Sequence, residues 1–180
     1  MFEIKFKYNT FEFFAEITDM GIYSFRIERI QPHIYNRTII NSPHIESITI
    51  RRHLDRLIEE ITSYIQNSKY KIKVNTDFTG YSEREIKIYK ALMEVPSGSV
   101  TTYGILAKHV FGNKANRYIG RALSHNRLQI IVPCHRVVMK DLKIGGFTNP
   151  MGVKLKILLL KNEGIKVNNC KIEHCRIYEF

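Results

Sequence analysis

The chain is poor in cysteine, in acidic residues and in long apolar runs. Three cysteines in 180 residues do not make the framework of a disulfide-rich secreted protein. The 17 acidic residues against 28 Lys and Arg leave a formal charge of +11, which suits a polyanion, either a nucleic acid or an anionic membrane surface. No apolar run approaches the roughly 18 residues of a membrane span and no signal peptide opens the chain, so we expect a cytoplasmic protein without a membrane role.

A length of 180 residues allows one full core or two closely packed units, and we favour two. Residues 1–75 are expected to form a scaffold domain of antiparallel sheet plus helix. Residues 76–180 are expected to form a mainly helical domain. The predicted fold class is therefore mixed α/β, of the α+β type.

Alternating apolar residues predict strands over residues 2–6, 11–17 and 22–30 of the first domain, with the first two joined across residues 8–10. Residues 48–65 have a helical period, and their charged residues are expected largely outside the apolar stripe: Arg51, Arg52, Asp55, Glu59 and Glu60. We expect an irregular connection over residues 31–47 and a short strand over residues 69–74.

The second domain begins with helix signals. Ser82, with Glu85 at the capping-box spacing, predicts a helix through Met93. Thr101 or Thr102 can cap a further helix, and a turn at residues 111–113 leads into another over residues 114–124, which together predict a helix-turn-helix. The last of these helices has an apolar stripe and a small, cationic outer face made of Arg117, Gly120, Arg121 and Ser124.

A thiol, an imidazole and a guanidinium follow in an apolar run, Ile131-Val132-Pro133-Cys134-His135-Arg136-Val137-Val138. Residues 130–132 are typical of a buried strand, and Pro133 cannot continue a ladder, so the chain is expected to turn as it presents Cys134. A neighbouring imidazole that takes the thiol proton would make the cysteine a nucleophile. The alternative is a buried structural cysteine beside a hydrogen-bonded histidine.

The hexapeptide from Pro133 to Val138, preceded by Asn126 and followed by Gly145-Gly146-Phe147, resembles the active-site signature of the O6-alkylguanine-DNA alkyltransferases. The resemblance covers residues 77–164. It implies an RNase H-like first domain and a monomeric DNA repair enzyme that flips O6-alkylguanine out of double-stranded DNA. It also implies irreversible, single-turnover transfer of the alkyl group to the protein's own Cys134, without a cofactor.

The resemblance assigns a role to each candidate site residue. Cys134 is the acceptor, His135 its base through a bound water, Glu163 the group that orients His135, and Asn126 the organiser of the turn beneath the cysteine. Tyr103 donates to guanine N3, the carbonyls of Cys134 and Val137 accept from the exocyclic amine, and Thr148 contacts O6. The DNA-binding set is Arg117, which fills the space of the flipped nucleotide, with Arg121, Gly120, Thr102 and Lys140. Arg121 and Tyr118 replace smaller residues usual in the family.

Glu163 also stands out without the resemblance. Residues 153–162 predict an apolar helix with Gly164 just beyond its end, which puts a carboxylate at the negative end of the helix dipole. We expect a protonated His135 as its partner, the alternative being a surface pair with Lys161 or Lys166.

No metal is expected. His33, His44 and His53 match no zinc pattern, and the N-terminal zinc cysteines of some family members are missing here. Cys170 and Cys175 are interpreted as free thiols, the alternatives being a disulfide or a partial metal site with His174.

Two other functions compete with alkyl transfer: a non-catalytic helix-turn-helix protein that binds DNA lesions, and a cysteine hydrolase that uses Cys134 and His135.

Overall fold

The structure, a computed structural model, describes residues 1–41, 45–112 and 115–180, with only the backbone of residues 31–41. The fold is mixed α/β, as the sequence predicted. The chain forms two compact units: residues 1–67, 72–80 and 127–131 make the first, and residues 68–71, 81–126 and 132–180 make the second. These units differ from the expected division at residue 75 chiefly because residues 127–131 belong to the first.

The first unit is a long two-stranded hairpin with a helix. Strand β1, Phe2–Thr18, pairs antiparallel with β2, Gly21–Asn41. The expected three-stranded meander was wrong, because the chain does not turn at residues 8–10. The pairing register shifts on both sides of Asn9, whose φ is 54°, a left-handed value that asparagine tolerates better than most residues. A stack of buried phenylalanines lines the hairpin: Phe6, Phe13 and Phe25.

Two other expectations for this unit were also wrong. Residues 31–41 continue β2 rather than forming an irregular connection, while residues 42–44, with His44, lie outside the described residues. Residues 69–74 are not a strand. The contact with β2 comes later, where Thr76 bridges Ile22 in parallel and Asn75 O accepts from Ile22 N at 2.8 Å. Gly21 permits this approach, since a Cβ there would lie 2.5 Å from Asn75 O.

Helix α1, Ile48–Gln66, confirms the predicted helix and buries the apolar stripe that contains Ile50, Leu54 and Leu57. Glu60 was expected largely outside that stripe but is fully buried. Its carboxylate accepts a hydrogen bond from Lys73 N at 2.6 Å and pairs with Arg56. A buried carboxylate is stable here because it satisfies a backbone N–H that would otherwise be unpaired.

The second unit contains four helices and short strands among its described residues. The helices are α2 (Glu83–Leu92), α3 (Tyr103–Phe111), α4 (Asn116–Ser124) and α5 (Gly152–Asn162), and the strands are β3 (Ser99–Thr102), β4 (Val137–Val138), β5 (Lys166–Asn168), β6 (Lys171–His174) and β7 (Arg176–Ile177). The three-stranded sheet has the order β4-β3-β7, with both pairings parallel. Strands β5 and β6 form a separate antiparallel pair.

The predicted helix ends are confirmed. Ser82 and Glu85 form the full capping box of α2. Thr102 caps α3 by accepting from Ile105 N at 3.2 Å, and α5 ends at Asn162, with Glu163 as its C-cap and Gly164 just beyond. Helix α4 begins at Asn116, so the predicted start at residue 114 was early, and residues 113 and 114 lie outside the described part of the chain.

The strand expected over residues 130–132 was wrong. Leu128 bridges Phe25, and Ile130 has a φ of 71°, so the chain turns there. Residues 127–131 belong to the first unit. There Phe25 N donates to Arg127 O and Phe25 O accepts from Gln129 N, both at 2.8 Å. The apolar run is buried because it packs into a core, which a turn allows as well as a strand.

Residues beyond the resemblance fold back onto the sheet of the second unit. Strand β7 pairs with β3, Tyr178 N donates to Val100 O at 2.7 Å, and Phe180 stacks on His109 of α3 at 4.3 Å between ring centroids. Cys170 and Cys175 are free, as is Cys134. Across the described residues no helix is long and apolar enough to cross a membrane, and no three His, Cys, Asp or Glu residues are grouped as a metal site.

The buried Glu60 gives a test of the first unit. Glu60→Ala should lower the free energy of unfolding by about 2 kcal/mol, because the part-buried Lys73 N–H loses a charged acceptor. The neighbouring Glu59 also pairs with Arg56 but is exposed, so Glu59→Ala should change stability by less than about 0.5 kcal/mol. Urea unfolding of both variants would measure the difference. Equal losses would show that the Arg56 pairs, not the Lys73 bond, account for the effect.

Candidate active site

Cys134 opens a single turn of 3₁₀ helix, Cys134–Arg136, that connects Pro133 to β4. The cysteine is 6% exposed. Asn126, just after the end of α4, donates through Nδ2 to Val132 O at 3.0 Å and to Cys134 Sγ at 3.1 Å. One amide therefore holds the turn and the sulfur together.

The Cys134 thiol is protonated in the resting protein. Burial raises the pKa of Cys134, while the Asn126 hydrogen bond and the positive charge of Lys156 lower it in part. The net direction is upward. A base is therefore required before the sulfur can act as a nucleophile.

His135 is placed to be that base. Its ring is fully buried, and Nε2 lies 2.9 Å from Glu163 Oε1. Burial lowers the pKa of His135, and Arg136 and Lys156 lower it further, against the raising effect of Glu163. The imidazole is therefore neutral. An ionised carboxylate only accepts, so Nε2 carries the hydrogen and Nδ1 is left with a lone pair. Among the described residues Nδ1 has no hydrogen-bond partner.

Glu163 has a stronger partner than the sequence indicated. Arg136 donates to its carboxylate from Nε at 3.1 and 3.0 Å and from Nη2 at 2.7 Å. Burial alone would raise the pKa of Glu163, but the bonds from His135 and Arg136 hold it well below its usual range. His135 is thus the expected partner of Glu163 but is neutral, and the charged partner is Arg136. The alternative surface pair with Lys161 or Lys166 does not describe Glu163, which is buried.

Lys156 is a site residue that the sequence analysis missed. It is 1% exposed, and its Nζ donates to Val137 O at 2.7 Å and to Gly146 O at 3.4 Å. Burial lowers its pKa to about 8, and the Cys134 thiolate opposes that shift. The signal in the sequence was a lysine within the apolar helix, four residues before the buried Leu160. A lysine on such a stripe is buried only when its charge has partners.

Tyr103 is the first residue of α3 and lies between two glycines. A Cβ at Gly120 would be 4.0 Å from Tyr103 Cε1, and a Cβ at Gly145 would be 3.7 Å from the Tyr103 hydroxyl. Burial raises the pKa of Tyr103, and the charge of a Cys134 thiolate raises it further. The phenol therefore stays protonated and can donate a hydrogen bond.

The remaining candidate substrate contacts are the carbonyls of Val137 and Cys134 and the side chain of Thr148, and they differ in burial. Val137 is fully buried, and its carbonyl already accepts from Lys156. The Cys134 carbonyl already accepts from Val137 N. Each carbonyl oxygen has a second lone pair, so both can accept another donor. Thr148 is exposed in the segment between Gly146 and α5.

The candidate DNA-binding residues lie on several elements. Arg117 and Arg121 are exposed on α4, and Gly120 is partly exposed between them. Thr102 is buried, and its hydroxyl caps α3. Lys140 is exposed in the turn after β4. The structure thus collects three of the five on one helix face and places the other two elsewhere.

Comparison with known proteins gives the same family for this half of the chain. Residues 83–165 match the family model described as 6-O-methylguanine DNA methyltransferase, DNA binding domain. A bifunctional methyltransferase/endonuclease of Picrophilus torridus is 41% identical over 86 residues, which are 48% of this chain and 28% of that protein. The chain therefore spans well under two thirds of that relative.

The solved structure of Mycobacterium tuberculosis OGT in complex with DNA has the same fold, with a TM-score of 0.66 at 22% identity, covering 89% of this chain and 92% of that one. A methylated-DNA–protein-cysteine methyltransferase of Methanosarcina acetivorans is 32% identical over 123 residues, covering 59% of this chain and 78% of the relative. On this similarity, the chain belongs to the methylated-DNA–protein-cysteine methyltransferase family.

Proposed function

We propose that this protein repairs DNA by moving the alkyl group of O6-alkylguanine to the sulfur of Cys134. One observation carries the proposal: Glu163 fixes the hydrogen of His135 on Nε2, so the buried imidazole next to the cysteine has a lone pair on Nδ1. This is the protonation state that a general base requires. The hydroxyl or amide of another residue would not accept the thiol proton as readily.

The reaction is a displacement at carbon. His135 Nδ1 takes the thiol proton through a bridging water, and the Cys134 thiolate attacks the alkyl carbon. The sulfur–carbon bond forms as the carbon–O6 bond breaks, and guanine leaves with the electron pair. The leaving guanine anion takes up the proton that the thiol released, passed on from His135 through water, so His135 becomes neutral again and charge and atoms balance. The product is a stable thioether, so each molecule acts once and needs no cofactor.

The neighbouring groups lower the energy of the charges that develop. Lys156 favours the thiolate, because its charge lowers the pKa of Cys134. Tyr103 remains protonated and donates to guanine N3 as negative charge grows on the leaving base. The carbonyls of Cys134 and Val137 accept from the exocyclic amine through their second lone pairs, and Thr148 contacts O6. Asn126 keeps the sulfur at the end of this pocket.

Double-stranded DNA is the proposed partner, bound through α3 and α4 as a helix-turn-helix. The charge of +11 supports attraction to the phosphate backbone. Because a stacked guanine cannot bring its O6 substituent to a buried thiol, the base must be flipped out, and Arg117 fills the space it leaves. Arg121 adds a second cation on the same face, Lys140 adds a further cation, and Thr102 supports the contact by capping α3. The RNase H-like first unit, a monomeric state and a cytoplasmic location complete the proposal.

Gly120 supports a close approach of DNA to α4. A methyl group at this position would meet Tyr103 as its nearest neighbour outside the helix, at 4.0 Å, which is an ordinary van der Waals contact. Packing within the chain therefore does not require glycine here. Since glycine costs a helix about 1 kcal/mol relative to alanine, a partner that needs the space explains the residue better.

The direct test uses a duplex oligonucleotide that contains O6-methylguanine. Intact-protein mass should rise by one methyl group, located on the Cys134 peptide, and Cys134→Ser should abolish this gain while keeping DNA affinity close to wild type. A variant with Cys170→Ser and Cys175→Ser should still gain the methyl group, because those thiols lie outside the site. Binding of the modified duplex without any mass gain would instead identify a non-catalytic lesion-binding protein.

Gly120→Ala separates DNA binding from chemistry. The free protein should be as stable as wild type, or more stable by up to about 1 kcal/mol, because alanine favours the helix. Repair of duplex DNA should slow, while the reaction with free O6-benzylguanine should keep its rate, because only the duplex must approach the α4 backbone. Single-turnover rates with the two substrates measure the ratio. If both reactions slow equally, Gly120 serves the position of Tyr103 instead.

Acid should destabilise the protein in two stages. The folded pKa of His135 lies below its ordinary 6.5, so below about pH 6.5 the unfolded chain takes up a proton that the folded chain does not, and stability falls by up to about 1.4 kcal/mol per pH unit. The depressed pKa of Glu163 contributes stability that is present above pH 4.5 and is lost as the pH falls further.

Comparison with His135→Asn isolates the first stage. Urea unfolding at pH 7, 6 and 5 should show wild type losing more stability on acidification than the variant, since only wild type has the imidazole. Parallel losses in the two proteins would mean that His135 is already charged in the folded state.

A further inference from the structure

Arg136 is a buried charge at the site to which the proposed mechanism gives no role. Its side chain is 10% exposed. All three nitrogens of its guanidinium donate hydrogen bonds. Nε and Nη2 hold both oxygens of Glu163, at distances between 2.7 and 3.1 Å, and Nη1 donates to Val95 O at 2.6 Å. The planar fork is therefore anchored to the backbone on one side and to the carboxylate on the other.

This fork determines where the carboxylate points. Oε1 of Glu163 accepts from both Arg136 Nη2 and His135 Nε2, so the two donors converge on one oxygen. A glutamate side chain has three rotatable torsions, and one bond to an imidazole would leave its carboxylate free to turn. The two-point contact removes that freedom. The guanidinium thus sets the direction of the bond that selects the His135 tautomer.

The same contact sets the charge around His135. The charged groups that act on the imidazole are Glu163 at the end of α5, Lys156 within α5, and Arg136 in its own turn. Glu163 alone, at the negative end of the helix, would favour a protonated ring. Arg136 offsets that charge. Together with burial it keeps the pKa of His135 below its ordinary value.

We propose that Arg136 is a positioning residue for alkyl transfer, which orients the Glu163 carboxylate toward His135 Nε2 and offsets its charge, so that His135 remains a neutral base. The inference rests on the proposed transfer to Cys134. Arg136 touches neither the thiol proton nor the alkyl carbon. It acts through Glu163 and then His135.

Three variants separate orientation, charge and fold. Arg136→Lys keeps a positive charge but loses the fork, and Arg136→Met loses both. Arg127→Met is the matched control, because Arg127 is also a guanidinium bound to backbone carbonyls, at Tyr23 O and Thr79 O, but belongs to the first unit. Each protein is assayed for benzyl transfer from O6-benzylguanine to Cys134 by mass. The His135 ring is titrated in parallel by nitrogen NMR.

Arg136→Met should raise the pKa of His135 by about one unit or more, because an uncompensated Glu163 then faces the ring. Its transfer rate should fall about tenfold or more, the loss typical of a partner that orients a reactive group. Arg136→Lys should titrate near wild type yet also transfer about tenfold more slowly. Arg127→Met should lower the unfolding temperature and leave both readouts unchanged.

A purely structural Arg136 would give a different pattern. Arg136→Met would then lose thermal stability as Arg127→Met does, with wild-type His135 titration and a wild-type rate per folded molecule, and the inference would be overturned. If the methionine variant does not fold, Arg136→Lys still decides: an unchanged rate contradicts the role in orientation. Failure of wild type to accept any benzyl group would overturn the proposed function, while the His135 titration would continue to test the effect of Arg136.

Discussion

The second unit depends on one buried carboxylate. Glu163 lies at the C-terminal end of α5, where the helix dipole disfavours negative charge, and it is nearly excluded from water. Such a group is stable only with partners that donate to it. Those partners are His135 and Arg136, which occupy consecutive positions in one 3₁₀ turn. Compensating Glu163 therefore fixes the turn that carries Cys134, so the constraint that stabilises the fold also arranges the proposed chemistry.

Charge in this site is divided so that no single group must be both buried and uncompensated. Arg136 neutralises Glu163, which lets His135 remain uncharged, and the thiol is also uncharged until a substrate arrives. Lys156 is held by the carbonyls of Val137 and Gly146, and burial brings its pKa to about 8. The resting site therefore keeps one excess positive charge, that of Lys156, beside the neutral thiol. In the proposed reaction, proton transfer from Cys134 to His135 would create two opposite charges, with Lys156 to favour the thiolate and Glu163 to favour the imidazolium.

The outer face of α4 differs from the buried site around Glu163, because its residues are at least partly exposed. Its cations are exposed and packing within the chain does not require its central glycine, which supports the proposed contact with DNA. The tail beyond residue 165, the end of the family match, pairs with β3 and stacks on α3. This part of the chain thus supports the start of the helix pair that is proposed to bind DNA.

The sequence by itself determined the helices with strong periodicity and caps, the fold class, and the identity of Cys134, His135 and Glu163 as candidates, because these follow from local spacing and from one contiguous motif. Prediction from the sequence failed where a residue's environment depends on contacts with residues far away in the sequence. Residues 8–10 became a bulge and residues 31–41 a strand because the two arms of the hairpin pair over their full length. Glu60 and Lys156 are charged but buried, because each has a hydrogen-bond partner that is remote in sequence, Lys73 N for Glu60 and Val137 O for Lys156. The pairing of Arg136 with Glu163, 27 residues apart, and the resulting neutral state of His135 were decided only by tertiary structure, because a protonation state depends on every charge around the ring and not on its neighbours in the chain.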